Sequence, residues 1–316
     1  MSRVLVTGAD GYIGRAVSAR LEERLQAGEL ESLTLLDLGF QNEGAVFADE
    51  RVLRISGDMG DAAVLARATS PAPSVVFHLA GIISRQAEDD FALGLQVNVI
   101  GTIALFERLR LLGRRPVVVC SSSIGVYGTP LPEAIDDRTP PAPTLSYGAE
   151  KLMMEILLAE YSRRGWLDGR TVRLPTVVAR PTSANGALSS FASDLIRDLP
   201  QGRHYTCPIG PEGSMWLLSL PACVASLLRA ADVAADRLPA GRAWNLPALR
   251  AGAGEIVEAL RRRFGAAVAD RVRYQPVPGM RAQLAQWPPL STGIADGLGF
   301  RHDGDLDTLI DNALGH

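Results

Sequence analysis

The segment Gly8-Ala-Asp-Gly11-Tyr-Ile-Gly14 follows the run Val4-Leu-Val-Thr7 and enters a helical pattern over Ile13–Gln26. Three glycines at this spacing, between a strand and a helix, leave few folds open. Gly8 permits a tight turn, Gly11 lets the backbone approach a pyrophosphate, and Gly14 lets the helix pack closely on a sheet. The first N–H groups of that helix, around Tyr12, Ile13 and Gly14, carry the positive end of its dipole and can receive a phosphate. Glycine alone is common in turns. The strand before and the helix after make the pattern a dinucleotide cradle.

The alternation continues. Leu33–Leu36, Val52–Ile55, Val75–Phe77 and Val117–Cys120 read as buried strands, with helices predicted at Ala62–Ala68 and Phe91–Leu112. A further helix runs from Tyr147 to about Arg164, with Leu152, Met153, Ile156, Leu157 and Tyr161 near one apolar stripe. Thr171–Leu174 is another strand, ended by Pro175. This predicts an α/β fold, a Rossmann-type doubly wound parallel sheet with helices on both faces. Beyond Pro175 small and polar residues, then a proline-rich loop over Pro200–Gly213, replace the alternation. We read residues 1–175 as a dinucleotide-binding Rossmann domain, with later segments returning to the sheet. Residues 176–316 read as a smaller, interleaved substrate-binding lobe.

Composition narrows the function by exclusion. The net charge of −3 and the lack of a basic stripe speak against nucleic acid. No stretch approaches the ~18 consecutive apolar residues of a membrane span. The chain start runs straight into a strand, with no signal peptide, so a cytoplasmic location is expected. Cys120, Cys207 and Cys223 are scattered and read as reduced, mostly buried thiols. His78, His204, His302 and His316 form no metal-like cluster, so no metal is predicted.

Asp37 lies 23 residues beyond Gly14, after the second strand. A carboxylate there can accept the adenosine ribose hydroxyls and repel a 2′-phosphate, favouring NAD over NADP; it could also cap a turn. Asp58, followed by Met59, is placed to hold the adenine amino group. Leu79-Ala80-Gly81 offers small residues beside the nicotinamide ribose. His78 reads as a satisfied core histidine.

Tyr147 and Lys151 stand four apart on a helix and so share a face. A free phenol titrates near about 10, too high for a base at neutral pH. A neighbouring ammonium favours the phenolate and lowers that value. Tyr-x-x-x-Lys is common by chance, but here a strand ends in Ser121-Ser122-Ser123. Ser123, 24 residues before Tyr147, can orient a reacting oxygen, although such serines can also satisfy turn backbone.

With these motifs in place the chain resembles the extended short-chain dehydrogenase/reductases, the NAD-dependent epimerase/dehydratase family. TGADGYIG, Asp37, GDM, HLAG, Val97-Asn98-Val-Ile-Gly-Thr102, SSSIGVYG and YGAEK carry the likeness along nearly the whole chain. It implies a Ser123, Tyr147 and Lys151 hydride-transfer site with NAD, a contact at the nicotinamide end from Asn98, and a cofactor contact from Pro175. Asn98 is also implied to help place the lysine; an ordinary helix-kink hydrogen bond is the alternative. Arg173–Pro181, Ser189–Ser193, Trp216–Ser219 and Asn245–Pro247 resemble the branch acting on four-carbon sugar acids. That implies oxidation of the C2 hydroxyl of a D-erythronate-like acid to the 2-oxo acid. Nucleotide-sugar enzymes of the wider family carry an arginine and acidic residues where this chain reads Ser214-Met-Trp-Leu-Leu-Ser-Leu-Pro221; a nucleotide-sugar epimerase or reductase is the alternative. The sugar-acid branch itself tends to carry arginine at the place of Ser214. Arg180 and Asn185 are then the carboxylate-binding candidates, Arg180 equally a buried structural ion. Resemblance also implies a homodimer formed by the helix near 91–112 and the one after Tyr147.

Overall fold

The computed structural model describes residues 2–41, 49–181, 190–277 and 286–315. Strands β1 (Ser2–Thr7), β2 (Leu30–Asp37), β3 (Val52–Ser56), β4 (Val75–His78), β5 (Val117–Ser123) and β6 (Asp168–Leu174) come first. β7 (Thr176–Val178), β8 (Tyr205–Cys207) and β9 (Ser214–Ser219) follow, then β10 (Ala243–Asn245), β11 (Leu249–Gly252) and β12 (Val272–Tyr274). The main sheet has seven strands in the order β10-β6-β5-β4-β1-β2-β3. The chain divides into two compact units. One comprises residues 1–126, 143–173 and 227–244, the other 127–142, 174–226 and 245–316.

In the first unit β1 runs parallel to β2 and β4, and β4 parallel to β5. Strand order reverses between β1 and β4, the switch point at which α/β sheets bind ligands. The register aligns Thr7 with both Leu36 and His78, and His78 with Cys120. The next residues on these strands are Gly8, Asp37, Leu79 and Ser121, so four candidate segments leave the sheet along one edge. Both faces of β1 are covered: Val4, Leu5 and Val6 are all buried. A parallel sheet covered on both sides needs such unbroken apolar runs.

Helices α1 (Tyr12–Gln26), α2 (Ala62–Ala68), α3 (Ser84–Asp89), α4 (Phe91–Leu111) and α5 (Ser146–Arg163) belong to this unit. Leu65 of α2, Leu105, Phe106 and Leu109 of α4 and Leu158 of α5 join Leu5, Val76 and Val118 in one core. By length and composition α4, at mean hydropathy 1.2, could cross a membrane. Its fully buried Leu105, Phe106 and Leu109 make it a core helix instead. A π-helical stretch, Leu95–Gly101, interrupts it and carries Asn98.

The expected apolar stripe of α5 does not face the core as a whole. Met153 and Ile156 are 43% and 63% exposed, whereas Lys151, Met154, Glu155, Leu158, Tyr161 and Ser162 are buried. The helix is turned so that its charged residues point inward, because their partners lie on the sheet beneath.

In the second unit β11 pairs antiparallel with β9, which runs parallel to β7. A separate apolar core gathers Phe191, Leu195 and Ile196 with Leu217, Ile256, Leu260 and Ile310. The helices at Phe191–Asp198 and Leu306–Leu314 and the strand β11 were not expected from the sequence, although both helices bury one apolar side, Phe191, Leu195 and Ile196 in the first and Leu309 and Ile310 in the second.

A Cβ at Gly14 would stand 1.9 Å from the Gly8 carbonyl oxygen, a backbone atom that cannot swing aside. Gly14→Ala should therefore cost about 1–3 kcal/mol of stability by overpacking. Urea unfolding checks this, and an unchanged midpoint would show that the turn can yield.

Candidate active site

The glycine turn is shaped for a dinucleotide. Gly8 has φ +71°, and a Cβ there would stand 2.5 Å from the Ala80 nitrogen, so β1 and β4 leave the sheet in close contact. Gly11 is the N-cap of α1, with no side-chain cap and no acidic residue in the first turn. The first turn of the helix therefore carries no negative charge of its own, and its N–H groups present the positive end of the dipole, as a pyrophosphate requires. These residues fit the cofactor.

Asp37 ends β2, its carboxylate accepting the Asp10 N–H at 2.8 Å and the Leu38 N–H at 2.7 Å. These bonds fix it beside the cradle and leave acceptor capacity for ribose hydroxyls. Asp58 is exposed and caps its own turn through the Gly60 N–H at 2.7 Å, while Met59 is buried. On the β4 edge Leu79 donates to the Thr7 carbonyl at 3.0 Å. Asn98 accepts the Ile82 N–H at 2.9 Å and donates to Glu150 at 2.6 Å. It meets the lysine only across Gly81, where a Cβ would lie 2.8 Å from Asn98 Oδ1 and 3.4 Å from Lys151 Nζ. Gly81 thus lets the β4 loop pass close over both side chains.

Lys151 is buried and donates from Nζ to the Ser121 carbonyl at 3.1 Å. The same Nζ stands 5.6 Å from the centre of the half-buried Tyr147 ring. Ser123 accepts the Gly125 N–H at 3.0 Å. A Cβ on Gly125 would lie 3.4 Å from Ser123 Oγ and 3.7 Å from Tyr147 Cδ1, so both border one gap kept open by glycine. At Gly148 a Cβ would come 2.3 Å from the Gly125 carbonyl, which brings α5 close to this turn.

His78 is a satisfied core residue. Thr102 Oγ1 gives its proton to the Asn98 carbonyl and so accepts from His78 Nε2 at 2.9 Å, leaving Nδ1 to accept from Thr7 Oγ1 at 2.7 Å. Burial, with the nearby Lys151 charge, pushes its pKa down to about 3. The cysteines are free and buried, and burial raises Cys120 and Cys207 to about 11 and Cys223 to about 12. Among the described residues no cluster of His, Cys, Asp or Glu could hold a metal ion.

The remaining candidates belong to the second unit. Pro175 is buried between β6 and β7, and Arg180 is half-buried, its carbonyl accepting Arg197 Nη1 at 2.7 Å. Asn185 lies outside the described residues. Ser214 is buried on β9 and donates to the Trp287 carbonyl at 3.3 Å; Arg250 Nε donates to the same oxygen at 2.6 Å. Glu155, Ser122 and Arg173, joined in the first unit, were missed. The signal was the four-residue step Tyr147, Lys151, Glu155.

The model of the NAD dependent epimerase/dehydratase family matches residues 4–216. The chain belongs to this family. It is an NAD-dependent oxidoreductase. D-erythronate dehydrogenase of Cupriavidus necator is 42% identical over 97% of this chain and 96% of its own. The enzyme of that name from Haemophilus influenzae is 30% identical over 98% and 97%. The crystal structure titled nucleoside-diphosphate-sugar epimerase from Agrobacterium tumefaciens superposes with a TM-score of 0.92 at 33% identity, covering 99% of this chain and 95% of that one.

The low pKa of His78 carries a stability consequence with a definite sign. The folded state holds it neutral while an unfolded histidine titrates near 6.5. Its contribution is complete above that value and is lost as pH falls toward about 3, at up to about 1.4 kcal/mol per pH unit. Urea unfolding between those limits should show a steeper fall for the wild type than for His78→Gln. Equal slopes would overturn the assignment.

Proposed function

We propose that the chain oxidises the C2 hydroxyl of a small sugar acid, D-erythronate or a close analogue, to the 2-oxo acid. The observation that carries this reading is the buried Lys151 ammonium beside Tyr147, with Ser123 across the Gly125 gap. Tyr147, as phenolate, takes the proton of the substrate hydroxyl. Lys151 favours the phenolate by its charge and can hold ribose hydroxyls through its remaining protons. Ser123 donates to the reacting oxygen. NAD⁺, when bound, supplies the hydride acceptor. Gly8, Gly11, Tyr12, Ile13 and Gly14 hold its pyrophosphate, and Asp37 its adenosine ribose, at the expense of NADP. Asp58 and Met59 attend the adenine, and Leu79, Ala80, Gly81 and Asn98 the nicotinamide end.

Two relatives named for D-erythronate oxidation, aligned along nearly the whole chain, support the substrate class. The similarity to the Agrobacterium nucleoside-diphosphate-sugar epimerase supports a second reading, a nucleotide-sugar epimerase. Against it stands the buried Ser214, in a stretch without arginine or carboxylate as far as Pro221.

NADH formation from NAD⁺ and D-erythronate is the direct test, with L-threonate and NADP⁺ in parallel. Tyr147→Phe should lower kcat on the order of 10²–10⁴-fold while NAD binding persists. Turnover comparable to wild type would overturn the assignment, and thermal stabilisation by UDP would favour the epimerase.

We also propose a homodimer closed by the outer faces of α4 and α5, where Ile100, Ile103, Met153 and Ile156 are exposed. Apolar residues gathered on adjacent helices mark an association surface. Light scattering should give twice the chain mass, and Ile156→Arg should give the monomer. A monomeric wild type would refute this.

A further inference from the structure

Three residues of α5 face the end of β5 in turn. Lys151 Nζ donates to the Ser121 carbonyl at 3.1 Å, and Glu155 Oε1 accepts from Ser122 Oγ at 2.5 Å. The residue that follows is Ser123. Tyr147, four residues before the lysine, borders the same turn. Glu155 is also gripped from β6, where Arg173 donates through Nε at 3.0 Å to Oε1 and through Nη2 at 2.7 Å to Oε2. Glu155 and Arg173 are 4% and 9% exposed. Such a pair costs desolvation and adds little net stability, so its presence calls for another account.

We propose that Glu155, held by Ser122 and Arg173, is a positioning residue for proton transfer, setting both the net charge behind Lys151 and the aim of Ser123. This rests on the reading of Tyr147 as the base. Lys151 and Arg173 are positive and Glu155 negative, so the three together carry one positive charge toward the phenol. The buried Cys120 thiol feels Lys151 and Glu155 together, which places both charges against the same strand. Other groups around the pair do not replace them. His78 is neutral, and Cys120 stays protonated up to about 11. Glu150 is bound by Asn98 and packed toward Gly94. Glu88 accepts the Ser146 N–H at the helix start at 2.9 Å.

The signs are opposite for the two partners. Glu155→Gln leaves two positive charges and favours the phenolate, so Tyr147 titrates at lower pH. Arg173→Met leaves none in excess, so it titrates at higher pH. Each shift should be roughly half to one pH unit, as expected for one partly screened charge. Ser122→Ala leaves all charges and should lower kcat several-fold with KM and the titration unchanged.

The test is a near-ultraviolet phenolate titration of the full chain, each protein subtracted from its Tyr147→Phe counterpart so that one phenol is read. It needs no substrate. Opposite shifts in Glu155→Gln and Arg173→Met, with Arg173→Lys near wild type, support the proposal. Should Arg173→Met not fold, the downward shift in Glu155→Gln with Arg173→Lys unshifted decides it. An unmoved titration in Glu155→Gln overturns the proposal even where Tyr147→Phe abolishes NADH formation from D-erythronate. A fully active Tyr147→Phe would instead overturn the base assignment itself.

Discussion

Everything at the candidate site hangs on the parallel register of β2, β1, β4 and β5. The ladder sets Leu36, Thr7, His78 and Cys120 side by side, and the next residue of each strand begins a functional segment. A slip of one residue would turn every side chain of a strand to the opposite face. Apolar cover on both faces forbids that, since it would tear apart a core shared by the sheet, α2, α4 and α5. At Gly8 against Ala80 two strand ends approach so closely that there is no room for a side chain between them. The cofactor cradle and the β4 loop are therefore one construction.

The helix α5 departs from ordinary amphipathicity for a related reason. It buries an ammonium and a carboxylate and leaves Met153 and Ile156 outside. Burying charge is unfavourable unless every charge finds hydrogen bonds. The strand end supplies them: a carbonyl for Lys151, a hydroxyl for Glu155, with Arg173 on the far side. Local hydrophobic patterning yields to this polar lattice.

That explains what was legible in the sequence. The five N-terminal strands are short apolar runs bounded by turn residues, a signal that depends only on nearest neighbours in the chain. The glycine spacing and the Tyr147–Lys151 step are equally local. The face of α5 is not legible from its apolar periodicity, because its inward face is decided by polar partners on β5 and β6. Asn98 could be placed at the site from its motif, but its bonds to Ile82 and Glu150 depend on a π-helical stretch with no compositional mark. The second unit was the least readable. Its strands are as short as Tyr205–Cys207, and the segment Tyr127–Ala142 joins it from within the N-terminal half.

The three cysteines draw these threads together in another currency. Each sulfur is buried and protonated at neutral pH, so none is a nucleophile while the fold is closed. Cys120 sits on the strand that carries the serines, Cys207 on β8 and Cys223 in the helix Leu220–Asp232. A thiol reagent in solution therefore modifies this chain only as fast as each region opens. The protein carries its own reporters of local unfolding, one of them directly beneath the candidate catalytic residues.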